Sequence, residues 1–458
     1  MSSSPTSLDQ LHADASAIFT HALQVCDISA AFDRHLRFEG KALVHQSSPG
    51  SEPVIIPLNK YRKLLVIAFG KAALTMSNAL LDRLPPKLHL RGVCSAPEVP
   101  PRHTWRIRYY AGGHPLPNAE SFKAAREALH LLKRARKDTF VFFLISGGGS
   151  AMLELPLDPA ISLEDTIAFH ETLIASGATI SEINTVRKYF SAVKGGRLAL
   201  AAPEAEKLSL LLADVPLRDV AAVASSPTLP DRSTPQQCRE ILDRFHLLEK
   251  FPKAVHEYFE SLNLASSPRP EPATIEHNQS DTLLSNLDFV NAARDHAESL
   301  GYHVIIDNTC DDWDYRDASA YLLKRFRELR QDLSHEYPRL CLLSSGEVTV
   351  KLQGSTGCGG RNQQFALATA IALEKNPNDL VAVLSAGSDG IDGNSPAAGA
   401  IVDPTTIARA RAYKFDPEAT LARFDACTLF TSLGDTIVTG PTGNNLRDLR
   451  ILLTSEKP

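Results

Sequence analysis

A glycine-serine loop at the end of a strongly apolar segment is the part of the sequence best suited to hold an anion. The segment is Thr139–Ile145, and the loop that follows consists of Ser146, Gly147, Gly148, Gly149 and Ser150. Consecutive glycines cost backbone entropy and add no packing, so they are typical of turns where a ligand approaches backbone amides. A strand that runs into such a loop often presents its N–H groups to a phosphate. A tight turn without a ligand is the alternative interpretation.

A lysine follows an earlier apolar segment in a similar way. Lys71 comes two residues after Lys63–Phe69, and a helix is predicted over residues 72–81. If the apolar segment is a strand of a parallel sheet, Lys71 lies at its carboxyl end, where open α/β sheets bind their ligands. The alternative is a solvated lysine, although a cation at the start of a helix is unfavourable unless an anion is present.

Two more cations share one side of a predicted helix that begins near residue 181 and is ended by Gly195 and Gly196. Apolar residues recur along it every three or four positions, and a polar set recurs beside them at the same spacing. We interpret the polar set as a surface directed at an anion, with a solvated basic face as the alternative. Its members are Asn184, Arg187, Ser191 and Lys194.

Acidic residues follow three other predicted strands and are candidate metal ligands. Asp214 comes after residues 207–212, Glu347 after 339–343, and Asp389 after 380–385. Proteins commonly bind Mg²⁺ through one or two carboxylates together with the phosphates of a substrate. The segment around Asp389 lacks the spacing and the terminal glutamate of an EF-hand.

A second glycine-rich loop, residues 354–361, carries an arginine at its end. Gly359 and Gly360 precede Arg361, and Asn362 follows it. The planar guanidinium donates two parallel hydrogen bonds, a geometry suited to phosphate. Together the loops supply glycines, cations and acids, which are the groups that phosphoryl transfer uses for positioning and for charge stabilisation.

The elements that must position these residues alternate between apolar strands and helices. This alternation predicts an α/β fold with a doubly wound, Rossmann-like parallel sheet that carries helices on both faces. The chain of 458 residues is too long for one ordinary domain. We predict an N-terminal domain over 1–265, a linker with connecting helices over 266–335, and a C-terminal α/β domain over 336–458. Proline and serine place the linker itself at 264–277, and residues 348–352 are predicted to form a strand.

Composition narrows the functional classes. The net charge of −5 gives no indication of a nucleic-acid partner, and no apolar run approaches the ~20 residues of a membrane helix. The first residues lack the features of a signal or transit peptide, so a cytoplasmic location is expected. Seven scattered cysteines predict neither a zinc site nor a disulfide framework. No Walker motif, protein-kinase motif set or GxGxxG fingerprint occurs, and the last of these absences argues against a nicotinamide enzyme.

Eight motifs, in consistent order over residues 10–453, resemble those of the type-2 glycerate kinases. These are ATP-dependent enzymes of two α/β domains, of which the second is called MOFRL. Members have often been labelled hydroxypyruvate reductases. The motifs are FGKAA at 69–73, GGHPLPN at 112–118, SGGGSA at 146–151, INTVRK with SAVKGGRLA at 183–199, GEVTV at 346–350, GGRNQQFALA at 359–368, SAGSDGIDG at 385–393 and TGPTGNN at 439–445.

The resemblance implies transfer of the γ-phosphoryl group of ATP to the 2-hydroxyl of D-glycerate, with Mg²⁺, giving 2-phosphoglycerate. It implies that Lys71 and Arg361 neutralise charge on the moving phosphoryl group. The small-molecule partners are ATP and D-glycerate, and the chain is expected to be a monomer or a homodimer. We expect residues 146–150, Lys194, Gly359 and Gly360 to bind nucleotide phosphate, Asn184, Arg187 and Asn362 to bind substrate, and Asp214, Glu347 and Asp389 to bind metal.

The sequence departs from the family pattern at two glycines. Where relatives usually read SDVPGD and ASGPT, this chain has Leu217 and Ser226. Side chains at these positions are expected to narrow the site, to change the acceptor or to weaken turnover. A nucleotide- or metabolite-binding protein that has lost catalysis is therefore one alternative, and a hydroxypyruvate reductase is another.

Overall fold

A computed structural model describes residues 7–48, 50–85, 88–101, 104–213, 223–262, 278–352 and 357–455. The chain divides into two compact units. The central unit is Ile28–Ser285, and the terminal unit combines Met1–Asp27 with Asn286–Pro458. Each unit contains a six-stranded sheet with helices packed against it, so the predicted α/β class is confirmed.

The helices are numbered along the chain. They are α1 (Leu8–Val25), α2 (Ile28–His35), α3 (Ala73–Arg83), α4 (Ala119–Leu132), α5 (Gly149–Met152), α6 (Leu163–Ala175), α7 (Ile180–Phe190), α8 (Arg197–Leu200), α9 (Pro235–Arg244), α10 (Lys253–Ser261), α11 (Asn286–Ser299), α12 (Tyr315–Leu333), α13 (Arg361–Leu373), α14 (Thr406–Ala412), α15 (Pro417–Ala422) and α16 (Ala426–Leu433).

The strands are numbered in the same way. They are β1 (Leu36–Glu39), β2 (Ala42–His45), β3 (Val54–Pro57), β4 (Lys63–Phe69), β5 (Leu90–Ala96), β6 (Ile107–Ala111), β7 (Thr139–Ile145), β8 (Glu206–Ala213), β9 (Asn278–Ser285), β10 (His303–Ile306), β11 (Arg339–Ser345), β12 (Val381–Gly387), β13 (Gly399–Val402), β14 (Thr436–Ile437) and β15 (Asp448–Ser455).

The sheet of the central unit is parallel throughout, in the order β6-β5-β4-β7-β8-β9. The chain runs outward from β4 to β5 and β6, and then returns to β7 on the other side of β4. The strand order therefore reverses between β4 and β7. In open α/β sheets the loops that follow the two strands at such a reversal border the ligand crevice. The Rossmann-like parallel sheet is confirmed, and Lys71 and the glycine-serine loop follow the two strands at the reversal.

Strands β4 and β7 form because their sequences are apolar on both faces. Leu65, Ile67, Val141 and Phe143 are buried on one face in a core that includes side chains of α4. Successive side chains of a strand point to opposite faces. On the opposite face α3 packs against β4 and β5. Helices on both faces explain why the two strands read as continuous hydrophobic runs.

Helix α7 ends four residues earlier than predicted. Ser191 is extended, with φ −96° and ψ 139°, and its backbone forms an isolated β-bridge with Pro156. Its hydroxyl donates to Glu154 Oε1 at 2.5 Å. These tertiary bonds compete with continuation of the helix. Lys194 therefore lies beyond α7 rather than on the same helix face as Asn184 and Arg187.

The sheet of the terminal unit is mixed, in the order β10-β11-β15-β12-β13-β14. Only β10 and β11 pair in parallel among these strands, and the other neighbours are antiparallel. Helices α12 and α13 contribute to the core on one side. Helix α1 packs on β12 and β15, and α11 packs on β10 and β11.

These packing relations give compact units that differ from the predicted domains 1–265, 266–335 and 336–458. Helix α1 belongs to the terminal unit because its buried stripe packs on the terminal sheet. The predicted connecting helices α11 and α12 are also part of this unit. The predicted linker at 264–277 lies outside the described residues. The prediction of a strand at 348–352 is wrong, because Thr349 forms only an isolated bridge to Asp314 there.

Strands β1, β2 and β3 form a small antiparallel sheet that the sequence patterns did not predict.

In the part of the chain that the structure describes, no single helix is long and apolar enough to cross a membrane. Helices α1 and α2 meet that criterion only as a pair bent by 50°.

Candidate active site

The loops after β4 and β7 are held together by hydrogen bonds in the central unit. The amide of Lys71 donates to the carbonyl of Gly147 at 2.8 Å, and the amide of Ala72 donates to Ser146 Oγ at 3.0 Å. Gly70 has φ +117°, and a Cβ there would lie 2.4 Å from Ser146 Oγ. Ser146 is buried. Its hydroxyl therefore fixes the loop that carries Lys71 and does not line the adjacent pocket.

A cavity of about 230 Å³ opens beside these loops. It joins part of the predicted glycine-serine loop to α7. The predicted site residues Asn184 and Arg187 therefore lie in one pocket with three members of the loop. The polar and glycine residues that line it are His114, Gly147, Gly148, Ser150, Asn184 and Arg187.

Lys71 lies at the edge of this pocket with an exposed side chain. Gly148 has φ +77°, and a Cβ there would lie 3.2 Å from Lys71 Cγ and 2.8 Å from His114 Cδ2. A glycine is thus required by both the backbone conformation and the space. The lysine and the imidazole flank the loop, so both can reach a ligand bound against it.

Two polar side chains that line the pocket, Ser150 and Asn184, are linked through the buried hydroxyl of Ser225. Ser225 Oγ donates to Asn184 Oδ1 at 2.8 Å, and Ser150 Oγ lies 2.7 Å from Ser225 Oγ. Ser225 and Ser226 both have left-handed backbones, with φ +61° and +55°. Ser226 replaces a family glycine and does not line the pocket. Its side chain therefore does not narrow this pocket, and Leu217 lies outside the described residues.

Arg187 is the buried cation of the pocket. The residue is only 7% exposed, and its Nε has no hydrogen-bond partner. Burial lowers the pKa of the guanidinium, and the charge of Glu154 opposes this effect. Arginine nevertheless stays protonated in proteins. The pocket is therefore lined by a residue with a fixed positive charge.

Lys194 does not line the pocket but is buried behind it. Its Nζ lies 2.5 Å from Glu154 Oε2, and His170 Nε2 lies 3.0 Å from the same oxygen. Burial alone would raise the pKa of Glu154, but the charges and hydrogen bonds of Lys194 and His170 lower it to about 2. The anion that Lys194 contacts is thus a protein carboxylate, and the structure gives its predicted phosphate-binding role no support.

In the terminal unit, Arg361 begins α13 and is held by two carboxylates. Its Nε donates to Asp448 Oδ2 at 2.6 Å and its Nη2 donates to Asp448 Oδ1 at 2.9 Å. The same Nη2 lies 2.9 Å from Glu347 Oε1. Burial alone would lower the pKa of Arg361, but these carboxylates raise it well above its ordinary value. The guanidinium is therefore charged and held in a fixed orientation.

The start of α13 is capped from another loop. Asp392 is buried, and its carboxylate accepts hydrogen bonds from the amides of Asn362 and Gln363 at 3.0 and 2.8 Å. A Cβ on Gly360 would lie 2.4 Å from Asp392 Oδ1, so a side chain there would displace the cap. Burial raises the pKa of Asp392 to about 7. The glycines before Arg361 therefore allow close approach of a capping carboxylate.

The remaining predicted residues of the terminal unit are placed as follows. Asn362 is buried and accepts from Ser385 Oγ at 2.7 Å. Glu347 pairs with Arg361. Asp389 Oδ1 accepts from the amide of Ile391 at 3.1 Å. Asp214 lies outside the described residues, and within the described ones no group of three or more histidines, cysteines or acids could hold a metal ion.

Comparison with known proteins identifies the family. A family model described as a domain of unknown function (DUF4147) matches residues 14–260, and the MOFRL family model matches residues 340–448. The glycerate 2-kinase of Pyrococcus horikoshii is 35% identical over 396 residues, which cover 86% of this chain and 88% of that protein. The D-glycerate 2-kinase of Thermotoga maritima is 34% identical over 398 residues, which cover 86% and 92% respectively. This chain belongs to the glycerate 2-kinase family.

The fold agrees with this assignment. A crystal structure of glycerate kinase from Thermotoga maritima matches with a TM-score of 0.80 and 30% identity, covering 97% of this chain and all of that one. The family membership that the eight motifs predicted is confirmed. The MOFRL match also confirms the predicted identity of the C-terminal α/β region.

His114 is a pocket residue of this family member that the sequence reasoning did not select. It lies three residues after β6, at the same edge of the parallel sheet as Lys71. Burial and the positive charges of Lys71 and Arg187 lower its pKa. The imidazole is therefore neutral at neutral pH and can accept a hydrogen bond. Its position shortly after a strand, between a glycine and a proline, could have identified it as a candidate site residue.

The buried cluster behind the pocket predicts acid sensitivity. Burial lowers the pKa of His170 to about 4 from 6.5. Between these values the unfolded chain binds more protons, so the free energy of unfolding falls as the pH is lowered, by roughly 3 kcal/mol from this group. When the free energy of unfolding is measured by chemical denaturation between pH 7 and pH 4, it should fall less steeply for His170→Gln than for wild type. His130→Gln, at an exposed position on α4, should match wild type; parallel curves for all three proteins would contradict the assignment.

Proposed function

We propose that this chain transfers the γ-phosphoryl group of ATP to the 2-hydroxyl of D-glycerate, giving ADP and 2-phosphoglycerate. The observation that carries the proposal is the pocket at the strand-order reversal of the central sheet. It places a buried arginine beside a glycine loop, and an exposed lysine lies next to Gly148 of that loop. Membership of the glycerate 2-kinase family supports the choice of reaction.

In this reaction the acceptor O–H bond and the bond from the γ-phosphorus to the bridging oxygen break, and a new O–P bond forms. ADP leaves with the bridging oxygen, and the hydroxyl proton is released to water. Catalysis of such transfers rests on positioning and on stabilisation of the phosphoryl charge. We assign charge neutralisation to Lys71 and Arg361. The bidentate bond from Arg361 to Asp448 keeps its guanidinium oriented before the reaction, so little reorganisation is needed.

Mg²⁺ would accompany the phosphates of ATP. A Cβ built on Gly387 would lie 3.1 Å from Asp389 Oδ1 and 3.2 Å from Asp448 Oδ1, so two carboxylate oxygens approach one point. This arrangement fits a cation that proteins hold through one or two carboxylates and substrate phosphates. Asp389 is our candidate ligand, because Asp448 is engaged by Arg361. When bound, the ion would offset the negative charge of the phosphates.

A coupled assay tests the proposal. ADP release should depend on both D-glycerate and Mg²⁺, and phosphorus NMR should identify 2-phosphoglycerate as the product. NADH with hydroxypyruvate is the control for the reductase alternative and should give no oxidation. ATP-dependent thermal stabilisation without a product from any small hydroxy acid would instead favour the binding-protein alternative. A cytoplasmic location, a monomeric or homodimeric state and the absence of a nucleic-acid partner stay predictions from composition.

A further inference from the structure

The cluster behind the pocket of the central unit holds an unbalanced charge. Arg187 and Lys194 contribute two positive charges, and Glu154 contributes one negative charge. His170 is neutral at pH 7 because burial lowers its pKa to about 4. His114, which faces Arg187 and Lys71, is neutral for a similar reason. One positive charge of the described cluster therefore lacks a counter-ion.

An uncompensated buried charge is costly unless an anion meets it. Lys194 is satisfied by Glu154 at 2.5 Å, so the surplus falls on Arg187. Arg187 is only 7% exposed, and its Nε lacks a hydrogen-bond partner. Because Arg187 lines the cavity, an anion bound there can supply the missing negative charge.

The size and walls of the cavity limit what that ligand can be. Its volume of about 230 Å³ is below the roughly 300–1,000 Å³ of pockets for drug-sized ligands, so the cavity suits a small ligand. Asn184 adds a polar group to one wall, and Ile174 and Ile180 add apolar groups. A single surplus charge matches a small monoanion better than a polyphosphate. The planar guanidinium fork suits a carboxylate.

We infer that this cavity binds the carboxylate of the acceptor, and that Arg187 is the residue that selects small 2-hydroxy acids. The inference rests on the proposed function and deepens it, because it separates the acceptor site from the nucleotide. The carboxylate pairs with Arg187, and the carbon chain of the acid extends past Asn184 toward the glycine loop. A three-carbon acid fits this space.

Arg187→Met tests the inference through the two Michaelis constants. Loss of a charge-assisted hydrogen bond should raise KM for D-glycerate by at least ~10-fold, and up to ~100-fold, while KM for ATP changes by less than ~3-fold. Arg187→Lys keeps the charge but loses the fork, and should give an intermediate KM. The matched control is Arg197→Met, which removes a partly buried arginine bonded to backbone carbonyls outside the pocket. It should leave both KM values near those of wild type.

Wild-type protein provides a second test that does not depend on the folding of the variants. In calorimetric titrations without ATP, D-glycerate and D-lactate should bind, and glycerol, which lacks the carboxylate, should not. Equal binding of glycerol, or a rise of KM for ATP rather than for glycerate in Arg187→Met, would overturn the inference. Carboxylate binding without any turnover would support the site and refute the proposed kinase function.

Discussion

Lys71→Ala is expected to lower kcat/KM for phosphorylation of D-glycerate by at least ~100-fold, because a preorganised cation is removed from the developing phosphoryl charge. Lys71 follows the strand at which the order of the central sheet reverses. Its amide is bonded to Gly147, and its side chain borders Gly148. The coupled assay measures the effect at saturating and at limiting ATP.

Two further variants distinguish loss of the Lys71 charge from a loss of folding stability. Lys71→Arg keeps the charge and should retain more activity than Lys71→Ala. Lys123 is an exposed lysine on α4 that pairs with Glu120, so Lys123→Ala serves as a matched control and should behave as wild type. The melting temperatures of all three variants should be close to that of wild type, since both lysines are exposed. Activity of Lys71→Ala within ~3-fold of wild type would remove the lysine from the mechanism.

The sequence was most informative where strands are apolar on both faces. Strands β4 and β7 are buried over nearly all of their length, so the end of each hydrophobic run marks the carboxyl end of a strand. Lys71 and the loop from Gly147 to Ser150 follow those ends directly. Their shared edge of the parallel sheet could therefore be predicted from local patterns and the general rule for open sheets.

Local patterns failed where tertiary contacts decide the structure. Helical spacing placed Lys194 beside Arg187, but pairing of Ser191 with Pro156 and Glu154 ends α7 at Phe190. The lysine then becomes an internal partner of Glu154. No periodicity within residues 181–194 encodes a carboxylate 40 positions earlier.

Strand β15 shows the same limit in the terminal unit. It contains Asp448 and Arg450 and reads as a half-polar segment, yet every residue of it is buried between β11 and β12. The charges are tolerated because Asp448 pairs with Arg361, while the guanidinium of Arg450 stacks over Phe365 at 5.3 Å and donates to the carbonyl of Gly346 at 3.1 Å. These partners are distant in sequence, so hydrophobic patterning could not identify the strand.

Arg361→Ala should lower kcat by at least ~100-fold, since it removes a fixed cation from the start of α13. Arg361→Lys should recover only part of the activity, because a lysine cannot reproduce the bidentate bond to Asp448. Arg411→Ala is the control, since Arg411 is an exposed arginine that pairs with Glu374. Full activity of Arg361→Ala in the coupled assay would contradict its role.

Asp448→Asn tests whether the orientation of Arg361 matters in addition to its charge. Asparagine keeps one acceptor but loses the carboxylate that holds the guanidinium fork, so we expect kcat to fall by about 10-fold. In Arg361→Ala the carboxylate has no guanidinium left to orient, so adding Asp448→Asn should cost little more activity. A double-mutant cycle on kcat measures this coupling. Fully additive losses would show that Asp448 acts independently of Arg361.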